Sequence, residues 1–207
     1  FKKYNPEWNI KLYTPKILTE NQSWVTDENK QELKTKDYSD RLCDIDVENV
    51  PFDMEILGFS NSLSEVIKSD IIRLYVLYKY GGLWSDSDII FFKPMTHYFK
   101  ETEDISYFCY RRGGPTQEDI PSNGPLYHSI GFLMGSENNH HFQLLFENAK
   151  PRLNEELYQS IGSPYYKEMI DINSPGIFNI DMDVVYPSRS PQIMFKYPAK
   201  KMMYQIQ

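Results

Sequence analysis

The sequence is poor in several things, and each shortage narrows the reading. It holds only two cysteines, Cys43 and Cys109, too far apart for a metal-ligand spacing, so free thiols in a reducing compartment are expected, with one disulfide as the alternative. Basic residues are outnumbered, 22 Lys and Arg against 29 Asp and Glu, for a net charge of −7. The basic face that nucleic-acid binding requires is therefore missing, and no nucleic-acid partner is expected. No apolar run approaches the roughly 18 residues of a membrane span. The opening "FKKYNPEWNI" has no apolar signal core, which points to the cytoplasm (a host's cytoplasm for a viral chain). There is no initiator Met, so a piece of a longer protein is expected. Internal repeats and low-complexity tracts are also lacking. Aromatic rings are plentiful at 15%. Most read as core or half-buried surface, with a few left to stack on a base or a sugar.

A chain of 207 residues suits one sizeable domain, taken here as 1–207. Trp8, Ile10 and Leu12 alternate at period two, predicting a strand within Asn5–Thr14. Lys34–Asp53 is too polar for core and reads as a loop, its Asp44 and Asp46 included. Ser60–Gly82 is the clearest helix: Leu63, Ile67, Ile71, Leu74 and Leu77 recur at helical spacing, Ser62 and Ser64 are candidate N-caps, and Gly81 and Gly82 stop it. Leu83–Phe92 reads as strand–turn–strand, Asp104–Arg112 and Ser129–Ser136 as strands, and Asn139–Leu153 as a helix broken at Pro151. A short helix over Ser163–Ile170 and a last strand and turn over Asp181–Pro191 complete the series. Strands alternating with helices imply an α/β fold with a mixed, mostly parallel sheet and helices on both faces.

Two features carry chemistry. Asp70 falls in the middle of the apolar stripe of the long helix, with Arg73 at its margin one turn later. An ionised carboxylate there is costly unless paired. Either the two form a partly buried internal pair, or both face a cleft and bind a polar ligand. Asp86-Ser87-Asp88 is the second feature. In an extended chain both carboxylates point to one side and want a cation beside them; a hard divalent ion bridging a diphosphate is the natural complement, solvated turn aspartates the plain alternative. Other D-x-D chemistries fit less well. A calcium loop needs a third acid where Ile90 stands. A phosphatase of the haloacid-dehalogenase type wants Thr at that same place. A nucleotidyltransferase wants a helix between its Gly-Ser and the acids, and only Leu83, Trp84 and Ser85 separate Gly82 from Asp86.

At "SDIIRLYVLYKYGGLWSDSDIIFFKP" (Ser69–Pro94) the chain resembles the S-D-x-x-R-x-x-x-L-x-x-x-G-G-x-[YW]-x-D-x-D block of fold-A glycosyltransferases. These include initiating α-1,6-mannosyltransferases, capsule sugar transferases and clostridial glucosylating toxins. Asp70, Arg73, Leu77, Gly81, Gly82, Trp84, Asp86 and Asp88 match in register. The Lys/Asn/Tyr-rich style is similar to large-DNA-virus members of chlorovirus type. The resemblance implies a Rossmann-like single domain and a metal-dependent, retaining hexosyltransferase. Its donor would be a nucleoside diphosphate sugar, UDP-sugar before GDP-sugar, and its acceptor a glycan or protein-linked glycan. Asp88 would ligate Mn²⁺ or Mg²⁺ directly. Asp86 would hold ribose or sugar hydroxyls and reach the metal through water. Asp70 and Arg73 would bind the donor sugar, with Trp84 near the nucleotide. The loop Arg111–Pro125 would meet the acceptor, with Arg111 or Arg112 near phosphate or in a solvated turn. The family's apolar first strand is not recognisable; either the chain starts at what resembles the second strand, or Glu7–Tyr13 does that job alone. His97, His128, His140 and His141 read as surface or structural. A non-catalytic sugar-nucleotide or glycan-binding module on the same fold is the alternative.

Overall fold

The computed structural model describes residues 1–19, 47–86, 89–95, 104–112, 126–157 and 159–185. Asp88, Asp44, Asp46, Cys43, His97 and the segment 113–125 lie outside the described residues.

The strand expected near the start is β1, Ile10–Pro15. Its partner is β2, Val47–Phe52, and the two run parallel from Ile10 opposite Val47 to Pro15 opposite Phe52. This corrects the expectation of a loop through Asp53. β2 has one hydrogen-bonded neighbour among the described residues, so half its side chains face water and its composition hides the strand.

The long helix is α1, Glu65–Lys79, capped by Ser64, whose Oγ accepts the Ile67 N–H at 3.4 Å. Ser62 instead shares a hydroxyl contact with Ser60. Gly81 and Gly82 follow with φ of 62° and 90°, the left-handed region that ends a helix cheaply only at glycine. Nine of the 15 residues of α1 are buried, Lys68, Asp70 and Arg73 among them. A helix covered on several sides has to pair its polar groups internally. Lys68 Nζ accordingly donates to Ile17 O at 2.8 Å and meets Glu65 Oε1 at 3.1 Å, while Glu65 Oε1 also accepts the Thr19 N–H.

A four-stranded sheet follows in the order β3-β5-β4-β6. Its strands are β3 (Gly82–Ser85), β4 (Ser106–Arg112), β5 (Leu126–Gly135) and β6 (Ile177–Asn179). β5 pairs antiparallel with both β3 and β4, and β6 lies parallel to β4. The α/β class with a mixed sheet is as expected; the centre of this sheet is antiparallel. The described residues of Leu83–Phe92 contribute one strand, and beyond it Ile89 N donates to Asp86 O at 3.3 Å. Ile89 and Phe91 pack on the core while Ile90 stands in solvent.

Alternation along the strands splits the interior in two. Phe108 and Leu133 face α1, α2 (His140–Arg152) and α3 (Ser163–Met169). Tyr107, Cys109, Phe132 and Met134 face the other way, against Phe91 and α4 (Met182–Val185). Helices thus cover both faces. Of the strand and turn expected over Asp181–Pro191, residues 186–191 lie outside the described residues, and α4 stands at the start, with Met182 buried in this second core. Cys109 is a free thiol in that core, its pKa pushed up to about 12 by burial. No described helix is long and apolar enough to cross a membrane.

Candidate active site

β3 carries the chain from α1 into the antiparallel ladder, and the Asp86 N–H donates to Gly131 O at 2.8 Å just past its end. That bond sets Asp86 at the sheet's rim, facing α1. On α1, Asp70 and Arg73 are one turn apart and almost wholly buried. Arg73 joins the two acids: Nη1 stands 3.2 Å from Asp70 Oδ1 and Nη2 stands 3.4 Å from Asp86 Oδ1. Trp84, two residues before Asp86 on β3, donates its Nε1–H to the same Oδ1 at 3.0 Å. Its ring lies under the guanidinium, 5.1 Å from centroid to Cζ. The four side chains form one continuous network.

The network is electrostatically taut. Burial pushes the Asp70 pKa up to about 6, against the pull of Arg73 and with the push of Asp86. Asp70 Oδ2 is buried with no hydrogen-bond partner, and so is Arg73 Nε. Asp86 differs: its side chain is 42% exposed. It is therefore the member of the network able to meet a ligand first.

All four residues border a cleft of about 1190 Å³. One wall is β1 with Leu12 and Tyr13; at the rim Lys11 and Glu48 pair at 3.3 Å. Phe1, Trp8 and Phe91 close another side, with the Phe1 ring edge-on to both Trp8 and Phe91. The N-terminal segment is held there by Asn5, whose Oδ1 accepts the Met95 N–H at 2.7 Å. β1 and its lead-in, from Trp8 to Tyr13, thus line the cleft.

Asp70 and Arg73 form the buried internal pair, and the same two residues also edge the cleft. Asp88 lies outside the described residues, so the spacing of the two acids is not part of this geometry. Arg111 and Arg112 end β4 opposite Tyr127 and Leu126, and neither borders the cleft. His128 is structural: buried against the rings of Phe108, Tyr110 and Tyr166, its pKa is lowered to about 4 by desolvation. Sequence reasoning missed the Trp84–Asp86 hydrogen bond, which no spacing rule announces.

Residues 52–150 match the family model of the capsular polysaccharide synthesis proteins. The span is just under half of the chain and includes Asp70, Arg73, Trp84, Asp86 and Asp88. No curated protein matches the chain. The family likeness points to a glycosyltransferase-type role in polysaccharide synthesis, with a sugar donor and an acceptor as partners in general.

Proposed function

We propose that the protein is a metal-dependent, retaining glycosyltransferase. It moves a sugar from a nucleoside diphosphate sugar, UDP-sugar before GDP-sugar, to a glycan or protein-linked acceptor. The observation that carries this reading is the Asp70–Arg73–Asp86 charge relay, buried at one end and open to a large cleft at the other. The cytoplasm is its proposed place, a host's cytoplasm if the chain belongs to the viral type it resembles.

The donor set fits a hard divalent cation, Mn²⁺ or Mg²⁺. Asp86 offers carboxylate oxygen at the cleft surface, its orientation held by Trp84 and Arg73. Asp88 would bind the ion directly and Asp86 beside it. An ion held by these acids would supply positive charge against the negative charge that grows on the leaving diphosphate. Asp70 and Arg73 would hold sugar hydroxyls; the unpartnered Asp70 Oδ2 is an acceptor still lacking a donor. The rings of Trp8, Tyr13 and Trp84 offer faces for a base. In the transfer step the anomeric C–O bond to diphosphate breaks as the bond to the acceptor oxygen forms on the same face. The acceptor proton passes to the departing diphosphate oxygen, so no protein nucleophile is called for.

The test is thermal shift with UDP, GDP and their sugars, with and without Mn²⁺, followed by release of nucleoside diphosphate. Stabilisation that requires Mn²⁺ and disappears in Asp88→Ala is expected. A shift that survives Asp88→Ala overturns the metal bridge; binding without turnover with any acceptor leaves a sugar-nucleotide-binding module instead.

A further inference from the structure

A different cluster stands at the opposite end of β3. Gly82 pairs with Gly135 and Gly135 with Ser106, so the start of β3, the end of β5 and the start of β4 meet there. Asp86 lies beyond the far end of β3, about 13 Å of strand away. Asp104 precedes β4 at this near end, and His140 and His141 are the first two residues of α2. A carboxylate oxygen of Asp104 and one ring nitrogen from each histidine lie within 4.8 Å of one another. None of the three borders the cleft.

Hydrogen bonds determine the state of His141. Asn139 Nδ2 donates to Ile105 O at 3.0 Å, and Asn139 Oδ1 accepts the backbone N–H of His141 and of Phe142, each at 3.1 Å. Oδ1 is thus an acceptor, and the Ser106 hydroxyl, 2.8 Å away, donates its proton to it. Ser106 Oγ then has only lone pairs to offer His141 Nδ1, 2.9 Å away. Nδ1 must carry the hydrogen, and the lone pair of the ring sits on Nε2. That Nε2 is buried with no hydrogen-bond partner, in a side chain that is itself only 4% exposed. A bare imidazole lone pair out of reach of water wants an electron-poor partner, and an Nδ1–H bonded to a fixed oxygen is how metal-bound histidines are oriented. Asp104 completes the set: its Oδ1 accepts the His140 N–H at 3.1 Å and its Oδ2 contacts His140 Nδ1. Asp104 and His140 are exposed, so an ion can enter.

We propose that Asp104, His140 and His141 form a metal site for a divalent first-row cation of zinc type. Two imidazoles with one carboxylate suit such an ion and disfavour Mg²⁺ and Ca²⁺, which prefer oxygen throughout. Three protein ligands leave a fourth position for water or for a group from a partner molecule. The ion ties the turn before β4 to the start of α2.

The test uses the full chain, free of any affinity tag and stripped by chelator. Zn²⁺ is titrated by calorimetry, and Co²⁺ is followed by its visible d–d bands. One saturable Zn²⁺ per chain and a rise in Tm are expected. His140→Ala and Asp104→Asn alter exposed side chains and should each weaken binding by more than about tenfold and remove the Co²⁺ bands. Asp86→Ala should leave both signals unchanged, which separates this site from the cleft. The proposal is overturned by wild-type protein that shows no saturable Zn²⁺ binding, by undiminished binding in both variants, or by loss of binding in Asp86→Ala.

Discussion

Arg73 holds two carboxylates at once, Asp70 at 3.2 Å on its own helix and Asp86 at 3.4 Å across the cleft edge. One guanidinium therefore couples a buried acid to one that faces solvent. The fold tolerates the first because of the arginine, and the ligand site inherits its orientation from the same group.

The coupling makes stability depend on pH. The Asp70 pKa is raised from 3.8 to about 6 in the folded chain, so folding favours the protonated acid. The stability this confers is complete below about pH 4 and is lost as pH rises through about 6. Relative to Asp70→Asn, the wild type should therefore lose about 2 kcal/mol between pH 4 and pH 7. Urea denaturation of both proteins at the two pH values measures it. A difference that stays flat with pH contradicts a buried, ionising Asp70.

Trp84 does two things, and one substitution parts them. Trp84→Phe keeps a ring under Arg73 but deletes the Nε1–H donated to Asp86 Oδ1. The loss of one bond to a half-exposed carboxylate is worth about 1 kcal/mol. Calorimetric affinity for UDP with Mn²⁺ should fall about fivefold, with Tm nearly unchanged.

The two glycines after α1 should respond differently to a methyl group. At Gly81 a Cβ would sit 2.5 Å from the backbone carbon of Ser136, at φ 62°. It would also meet Glu137 N and Gly135 O, and all three atoms are backbone, so Gly81→Ala should cost about 3 kcal/mol. At Gly82, φ is 90° with nothing within 4 Å, and Gly82→Ala should cost only the backbone term, about 1 kcal/mol. Equal losses of Tm would show that contact with the β5–α2 turn does not matter.

Lys68 is wholly buried and donates to Ile17 O and Glu65 Oε1. Lys68→Met fills similar volume but leaves the carbonyl and the carboxylate short of a donor, a cost of about 2 kcal/mol. Glu65→Gln keeps an acceptor for Thr19 and should cost less. Chemical denaturation ranks the two.

α1 is legible from sequence because its spacing, cap and glycine stop are all local. So is the oddity of Asp70, since a helix's period alone puts it among apolar neighbours. The alternation of Tyr107, Phe108 and Cys109, or of Phe132, Leu133 and Met134, says that two faces are buried but not what covers them. β2 was invisible for the opposite reason: Val47–Phe52 satisfies its backbone against β1 while keeping its polar side chains in water. A hydrogen-bond partner 35 residues away leaves no trace in local pattern. Composition, periodicity and one acid-rich motif determined the class of fold and the neighbourhood of the cleft. Tertiary structure alone decided that Arg73 reaches both acids, that Trp84 aims Asp86, and that Ser106 leaves the His141 lone pair bare, because each depends on which distant donor a single acceptor happens to meet.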